Sequence, residues 1–295
     1  MTGGNGLLGS KVLSAACGRF RLVSIDLHVS PVVQYNDLEY LQGDVTERET
    51  IQKRIFDARP DCVIHTAAFT DVDGCEKERE EAWKANVQGT ENVAISCRTL
   101  DIKMIHLSTD YVFDGKSGPY SEEDEPHPIS FYGKIKLESE KVVQEHLENF
   151  IIARTMVLYG YSPKVRHNFV TWLVEKLSQR ERVTIVEDQY GNPTLVDDLA
   201  KALLILFERD GCGIYHTAGK DWLNRYDFAV SVAKVFQLDR SLIGRTTTDC
   251  LNQPAPRPLK SGLKSNKILR EFGVTFSQVE EGLRRMREQM EAAGV

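Results

Sequence analysis

Short runs of apolar residues alternate with longer amphipathic segments in the first half of the chain. The runs predict buried strands, and the segments, in which apolar residues recur on one face, predict helices. Strands separated by helices form right-handed crossovers, so they build a parallel sheet that is covered on both faces. The predicted strands are residues 22–25, 62–65, 104–107 and 151–153, and the predicted helices are residues 7–17, 47–58, 80–100 and 132–147.

The alternation loosens after about residue 159, which indicates a second, smaller unit. The expected fold is α/β: a Rossmann-like doubly wound parallel sheet with a smaller, mixed α/β C-terminal lobe across a cleft. The first domain spans residues 1–157, with 182–218 returning to its sheet, and the lobe comprises 158–181 and 219–295. Further strands are expected at 183–186 and 213–217, and further helices at 169–179, 196–208, 225–236 and 279–290.

Composition excludes several classes of protein. The 295 residues carry 37 Lys and Arg against 43 Asp and Glu, a net charge of −6. This balance argues against a broad basic face for nucleic acid or anionic lipid, although it allows a local cationic pocket. The six cysteines are scattered without a C-x-x-C pair, which disfavours a disulfide framework or a zinc site. With no apolar run near the roughly 20 residues of a membrane helix and no signal-peptide pattern, we expect a cytoplasmic protein without membrane or nucleic-acid partners.

A glycine-rich segment at the start of the chain is the first candidate for chemistry. Gly3, Gly6 and Gly9 lead into a predicted helix, an arrangement that lets backbone amides approach a pyrophosphate. Asp26 follows the next predicted strand, where its carboxylate can accept hydrogen bonds from ribose hydroxyls and repel a 2′-phosphate. We therefore predict a site for NAD(H) or NADP(H), with NADH favoured. A generic turn at the glycines and a solvated carboxylate at Asp26 are the alternatives.

The start of the chain departs from the usual context of this glycine pattern. The pattern should follow a strand, yet only Met1 and Thr2 precede Gly3. By comparison with the usual strand–loop–helix unit, about four residues of the first, central strand are missing. We therefore expect either a start at an internal Met or a sequence that lacks its beginning.

A tyrosine and a lysine supply the first catalytic candidates. Tyr132 and Lys136 are four residues apart on a predicted helix, which places them side by side. A neighbouring ammonium lowers the pKa of a phenol and makes it a usable acid or base, although a surface pair is an equally open interpretation. Ser108 and Thr109 end a predicted buried strand, where ligands of open α/β sheets bind. We expect their hydroxyls to face the cleft, with local capping as the alternative.

Several segments together resemble an extended short-chain dehydrogenase/reductase, and more narrowly the dTDP-4-dehydrorhamnose reductase family. The wider resemblance rests on the glycine loop, residues 67–73 (AAFTDVD), 86–90 (NVQGT) and 108–115 (STDYVFDG), and the Tyr132/Lys136 pair. The narrower one rests on residues 188–194 (DQYGNPT) and 255–263 (APRPLKSGL). These segments span nearly the whole chain, and their order and spacing make the resemblance specific.

The resemblance implies a role for each matched residue. Tyr132 would protonate the C4 carbonyl oxygen of a sugar, Lys136 would tune Tyr132 and hold the nicotinamide ribose, and Thr109 would hydrogen-bond the reacting oxygen. The expected substrate-binding residues are Ser108, Asp110, Tyr111, Asn168 and Arg257. Arg257 would meet a nucleotide diphosphate, with a plain surface arginine as the alternative. The expected cofactor-binding residues are Gly3, Asn5, Gly6, Leu7, Leu8, Gly9, Asp26, Asp44, Val45, Ala67, Ala68, Thr70, Asn86, Tyr132 and Lys136.

The implied activity is NAD(P)H-dependent reduction of the C4 keto group of a nucleotide-linked 6-deoxy sugar. In the family, this reaction converts dTDP-4-dehydro-L-rhamnose to dTDP-L-rhamnose. Related dehydratases place Asp-Glu after the threonine, whereas Asp110 and Tyr111 follow Thr109 here. A reductase or epimerase on another nucleotide sugar is one alternative. A non-catalytic NAD(P)-binding regulatory subunit, like that of methionine adenosyltransferase, is another. The resemblance also allows a homodimer.

Two departures from the family pattern concern the substrate and a metal. Val157 stands where the family often has a tryptophan that lines the substrate pocket, which leaves the sugar nucleotide open. Some members hold Mg²⁺ with a carboxylate just after the last glycine of the loop, but here that stretch is Ser10-Lys11. Asp197 alone is a poor cage, so we predict no metal site.

Overall fold

The computed structural model describes residues 1–35 and 37–295. Its strands are β1 (Leu22–Asp26), β2 (Leu38–Gln42), β3 (Cys62–His65), β4 (Lys103–Thr109), β5 (Phe150–Thr155), β6 (Leu158–Tyr159), β7 (Val183–Val186), β8 (Tyr190–Gly191), β9 (Thr194–Leu195), β10 (Gly213–His216), β11 (Leu223–Asn224) and β12 (Ile243–Thr246). Its α-helices are α1 (Leu7–Ala16), α2 (Arg48–Ala58), α3 (Val72–Lys77), α4 (Arg79–Trp83), α5 (Gly89–Leu100), α6 (Phe131–His146), α7 (Phe169–Ser178), α8 (Val196–Glu208), α9 (Arg225–Phe236), α10 (Asn266–Phe272) and α11 (Val279–Ala292).

A parallel sheet forms the centre of the N-terminal domain. β1 pairs with β2 on one side, and β3, β4, β5 and β10 follow one another on the other side. Thr2 stands between the two halves and bridges to Ile25 and His65. The Thr2 N–H donates to Ile64 O at 3.0 Å, and the Ile25 N–H donates to Met1 O at 2.8 Å. Residues at the start of the chain therefore hold the central position of the sheet, and the predicted Rossmann-like α/β fold is confirmed.

Both faces of this sheet are buried, as the apolar strands predict. Side chains alternate across a strand, so Ile151 packs with α1 and α8, whereas Ile152 packs with α2 and α5. Ile105 and Met104 on β4 divide in the same way. This double cover holds the strand ends, and the side chains that follow them, in fixed positions.

The C-terminal lobe has a core of its own. β7 and β12 form a parallel pair, and buried residues of α7, α9 and α11 pack against it. The prediction that all of 182–218 returns to the first sheet is too broad. Residues 213–216 do pair with β5, but residues 183–186 pair with β12 in the lobe.

Several elements were not predicted, among them β12, α10 and the two-residue strands β6, β8, β9 and β11, and three further differences have a clear physical reason. β2 was not predicted because it lies at the edge of the sheet and is only partly buried, so it lacks an apolar run. α3 is a single short helix without a clear period. The helix predicted at 80–100 is divided by a π-helical turn, Lys84–Gln88, between α4 and α5. Of the helices within residues 1–35 and 37–295, none has the length and apolar character needed to cross a membrane.

Candidate active site

The catalytic candidates meet where β4 ends. Thr109 is the last residue of β4, and a 3-10 turn, Asp110–Val112, follows it. Ser130 caps α6 by accepting a hydrogen bond from the Gly133 N–H at 3.1 Å, which places Tyr132 in the first turn of that helix. The rings of Tyr111 and Tyr132 meet edge to face, with centroids 5.5 Å apart. Packing of α6 on β4 thus brings the two predicted segments together.

The phenol of Tyr132 is strongly shielded from solvent. Burial is the largest cause of a raised pKa, and the nearby carboxyl of Asp110 adds to it, while the Thr109 hydroxyl opposes it. The net shift of this pKa is upward, and the role of Lys136 in tuning the phenol stays a prediction. The phenol remains protonated at neutral pH and is suited to act as an acid.

Lys136 lies one helical turn beyond Tyr132 and points along β4. Its Nζ donates to Leu107 O at 2.7 Å and lies 3.3 Å from His106 Nε2. Burial lowers the pKa of Lys136 to about 8, and the carboxylate of Glu140 partly opposes the shift. The ammonium is therefore held in place by the backbone of the strand that ends at Thr109.

Ser108 has a hydrogen-bond partner within the chain. Its hydroxyl donates to Glu140 Oε1, and that carboxylate is held by Arg154 through two hydrogen bonds, of 2.9 Å from Nε and 2.7 Å from Nη2. All three side chains are buried. Through Glu140 and Arg154 the Ser108 side chain helps to fix β4 against β5 and α6, and its assignment to substrate binding stays a prediction.

The glycine loop can accept a dinucleotide. Gly6 is the N-cap of α1, and within the described residues no side chain caps that helix, so its first N–H groups are open to an anion. A Cβ on Gly6 would make only an ordinary contact, 3.4 Å from Gly3 O, whereas one on Gly9 would lie 2.2 Å from the same oxygen. The loop is therefore closely packed at Gly9 and less crowded at Gly6. The Asn5 N–H donates to Asp26 Oδ2 at 3.0 Å, which joins the loop to the end of β1.

The other predicted cofactor residues divide by what their side chains do. Leu7, Leu8 and Val45 pack in the core, so only their backbone can face a cofactor. The Asn5 side chain bonds Ser30 O, Tyr40 Oη and the Val32 N–H, and Asp44 accepts from the Thr46 N–H. Asn86 binds both the N–H and the C=O of Phe69, at 2.7 and 3.0 Å. Asn86 therefore shapes the loop that carries Ala67, Ala68 and the exposed Thr70.

A cleft lies between the end of β4 and the C-terminal lobe. Asp110 lines it and accepts a hydrogen bond from Ser261 Oγ at 2.6 Å. Burial raises the pKa of Asp110 to about 6. Arg225, the first residue of α9, also lines the cleft. Sequence reasoning missed Arg225, because it follows no motif and its place in the cleft depends on how the lobe folds back.

Two predicted substrate residues are engaged elsewhere. The Asn168 side chain caps α7 by accepting from the Val170 and Thr171 N–H groups, and its Nδ2 donates to Gly160 O at 2.8 Å. Arg257 forms a two-bond ion pair with Asp73 of α3, at 3.0 and 2.8 Å. Both side chains thus have partners within the chain, and their assignment to substrate binding stays a prediction.

Val157 lies in the cleft in a strained conformation. Its φ of 47° falls in the left-handed region, which a β-branched residue rarely adopts. The Val157 C=O accepts a hydrogen bond from the Thr194 N–H at 3.1 Å, which ties the connection between β5 and β6 to the 188–194 segment. This contact gives the backbone of that segment its place at the cleft.

The place suggested for a metal in some relatives holds an ion pair. Lys11 Nζ lies 3.1 Å from Asp197 Oδ1 and 2.8 Å from Gln289 Oε1. Across the part of the chain that the structure describes, no group of three or more His, Cys, Asp or Glu side chains is arranged to hold a metal ion.

Comparison with known proteins agrees with this geometry. A family model described as RmlD substrate binding domain matches residues 1–292. A dTDP-4-dehydrorhamnose reductase of Sinorhizobium fredii is 35% identical over 275 residues, which cover 90% of this chain and 92% of that protein. Methionine adenosyltransferase 2 subunit beta of Xenopus tropicalis is 34% identical over 236 residues, 78% of this chain and 70% of that protein.

Solved structures give the same result. The crystal structure of dTDP-4-dehydrorhamnose reductase from Bacillus anthracis in complex with NADP matches with a TM-score of 0.85 at 29% identity. The match covers 98% of this chain and 97% of that chain. Together with the family model and the Sinorhizobium relative, this confirms the resemblance found in the motifs, and the chain belongs to the dTDP-4-dehydrorhamnose reductase family.

Proposed function

We propose that the protein reduces a keto group of a nucleotide sugar with a nicotinamide dinucleotide. The observation that carries this proposal is the convergence of Thr109, Tyr132 and Lys136 at the end of β4, on the same edge of the sheet as the glycine loop. Ligands of open α/β sheets bind at this edge. The names of the reductase relatives support the same reaction.

The chain's own residues provide the proton and its setting. A nicotinamide cofactor bound on the glycine loop would supply the hydride. Tyr132 then donates its phenolic proton to the carbonyl oxygen, and the raised pKa keeps that proton in place until charge develops on the oxygen. The Thr109 hydroxyl offers a second hydrogen bond, and the Lys136 ammonium stabilises the phenolate that remains.

The finer identity of the substrate is also a proposal. We take it to be dTDP-4-dehydro-L-rhamnose, giving dTDP-L-rhamnose, because the reductase relatives carry that name. Val157 is small for a residue that would stack on a sugar nucleotide, which keeps a different nucleotide sugar as the alternative. The homodimer and the cytoplasmic location stay predictions.

Turnover with a defined substrate tests the proposal. The protein is mixed with dTDP-4-dehydro-L-rhamnose and either NADH or NADPH, and loss of the reduced nicotinamide absorbance is followed. We expect turnover with at least one cofactor and a loss of about 10²- to 10⁴-fold in kcat for Tyr132→Phe. No turnover with either cofactor would contradict the proposal.

A non-catalytic subunit is the second candidate, because a methionine adenosyltransferase subunit beta is among the relatives. That role needs no proton donor, whereas Thr109, Tyr132 and Lys136 are all present and assembled here. Retention of full turnover in Tyr132→Phe would show that Tyr132 is not the proton donor. Absence of turnover together with tight cofactor binding would favour the subunit role.

A further inference from the structure

Arg225 is a cation in the cleft that forms no salt bridge with the residues that the structure describes. It is the first residue of α9, and its backbone N–H donates to Gln189 O at 3.0 Å. Its guanidinium lies over the ring of Phe169, with 5.5 Å between Cζ and the ring centroid. Within residues 1–35 and 37–295, no carboxylate lies within salt-bridge distance of it.

Three nearby charged or titratable groups shift the pKa of Arg225. Burial lowers the pKa of Arg225, while Tyr111 and Asp110 raise it and the neighbouring Arg257 lowers it. Asp110 already accepts hydrogen bonds from Ser261 and Thr109, at 2.6 and 3.2 Å. Arg225 therefore faces a polar cleft with its hydrogen-bonding capacity largely unused.

The neighbouring cation differs in this respect. Arg257 has its charge matched by the two-bond ion pair with Asp73, and its Nη1 also donates to Ala255 O at 2.8 Å. An incoming anion would have to displace Asp73 to reach Arg257 in the same way. A partly buried cation without a counter-ion is costly unless a ligand supplies one.

We propose that Arg225 binds the diphosphate of the nucleotide sugar, in the role that the family resemblance would give to Arg257. This rests on the proposed function, since a neutral keto sugar carries no charge and the diphosphate is then the only anion of the substrate. A guanidinium meets phosphate oxygens through two parallel hydrogen bonds. Arg225 would thus hold the substrate at the lobe while its sugar reaches Tyr132.

The test compares ligands with and without the diphosphate. Affinities of thymidine, dTDP, uridine and UDP are measured by titration calorimetry on the full chain, and the ratio of the nucleoside Kd to the diphosphate Kd is taken for each base. We expect Arg225→Gln to reduce that ratio by about 10- to 100-fold with nucleoside affinity unchanged, as loss of charge-assisted hydrogen bonds predicts. Arg225→Lys, which keeps the charge without the fork, should lose less.

Lys234→Gln is the matched control, because Lys234 lies on the same helix, is exposed and carries the same charge. It should leave the ratio unchanged. An unchanged ratio in Arg225→Gln, or a loss seen only in Arg257→Gln, would overturn the role of Arg225 and leave the proposed function standing. A wild-type chain with no preference for either diphosphate would contradict both.

Discussion

At the scale of single residues, burial sets the chemistry of the site. The Tyr132 phenol is kept protonated by its surroundings, and the Lys136 ammonium is brought close to losing its proton. Neither shift is visible in a spacing of four residues along a helix. Ser108 and Asn168 also have hydrogen-bond partners within the chain, and their roles in substrate binding stay predictions.

Lys136 predicts an alkaline limit to activity. With a pKa of about 8, its ammonium is present below that pH and lost above it, so kcat/KM should fall about tenfold per pH unit above pH 8. Lys136→Arg keeps a charge at high pH and should abolish this limb, although at a lower rate. A wild-type profile that stays flat to pH 9.5 would show that the charge is not required.

Asp26 predicts the cofactor preference. Its carboxylate is placed beside the loop by the Asn5 N–H and by His28, whose Nδ1 lies 2.8 Å away. Asp26→Asn removes a charge that repels a 2′-phosphate, so kcat/KM for NADPH relative to NADH should rise about tenfold. Glu39→Gln, at an exposed carboxylate of β2, is the control and should not change the ratio. A wild-type preference for NADPH would mean that Asp26 has been misinterpreted.

At the scale of elements, the π-helical turn Lys84–Gln88 is the feature closest to function. It interrupts what the sequence predicts as one helix and places Asn86 against the backbone of Phe69. Such turns within helices are frequent at functional sites. The extra residue in the turn shifts the register, so the amide reaches the loop at 67–70.

Asn86→Ala should weaken both the fold and the cofactor site. It leaves the partly buried backbone N–H and C=O of Phe69 without their partners, so the free energy of unfolding should fall by about 1–3 kcal/mol. Cofactor affinity, measured by fluorescence titration, should fall as well. Thr99→Ala, at an exposed position of α5, serves as the control for urea unfolding and should change little. Unaltered cofactor affinity in Asn86→Ala would show that the loop at 67–70 does not contribute to cofactor binding.

At the scale of the whole molecule, contacts distant in sequence close the cleft. The Asp73–Arg257 ion pair joins α3 of the first domain to the segment after β12. The backbone N–H groups of residues 118 and 120 donate to the carbonyl oxygens of Lys260 and Gly262, which joins the same two parts of the chain.

The histidines His65, His106 and His216 are buried, and burial lowers the pKa of each, so that each stays neutral.

These histidines predict acid sensitivity of the fold. The pKa of His216 is lowered to about 3, so between pH 6.5 and 3 the unfolded chain binds a proton that the folded chain does not. Stability should therefore fall with decreasing pH, by about 1.4 kcal/mol per pH unit for each such histidine. In urea unfolding at pH 7 to 4, His216→Gln should show a shallower loss than the wild type. His127→Gln, at an exposed side chain, should match the wild-type slope. Equal slopes for all three proteins would contradict the prediction.

The sequence by itself determined most strands of the sheet, the glycine loop and the positions of the candidate pair Tyr132 and Lys136, because these depend on local periodicity and on spacings within one strand or helix. Leu22–Asp26, Cys62–His65 and Tyr132 with Lys136 all lie where the pattern placed them. Only the tertiary structure decided which polar side chains are free. Arg257 is neutralised by a residue 184 positions away, Arg225 forms no salt bridge within residues 1–35 and 37–295, and Ser108 donates to Glu140. Those outcomes depend on which groups the folded lobes bring within hydrogen-bond distance, and no local pattern records that.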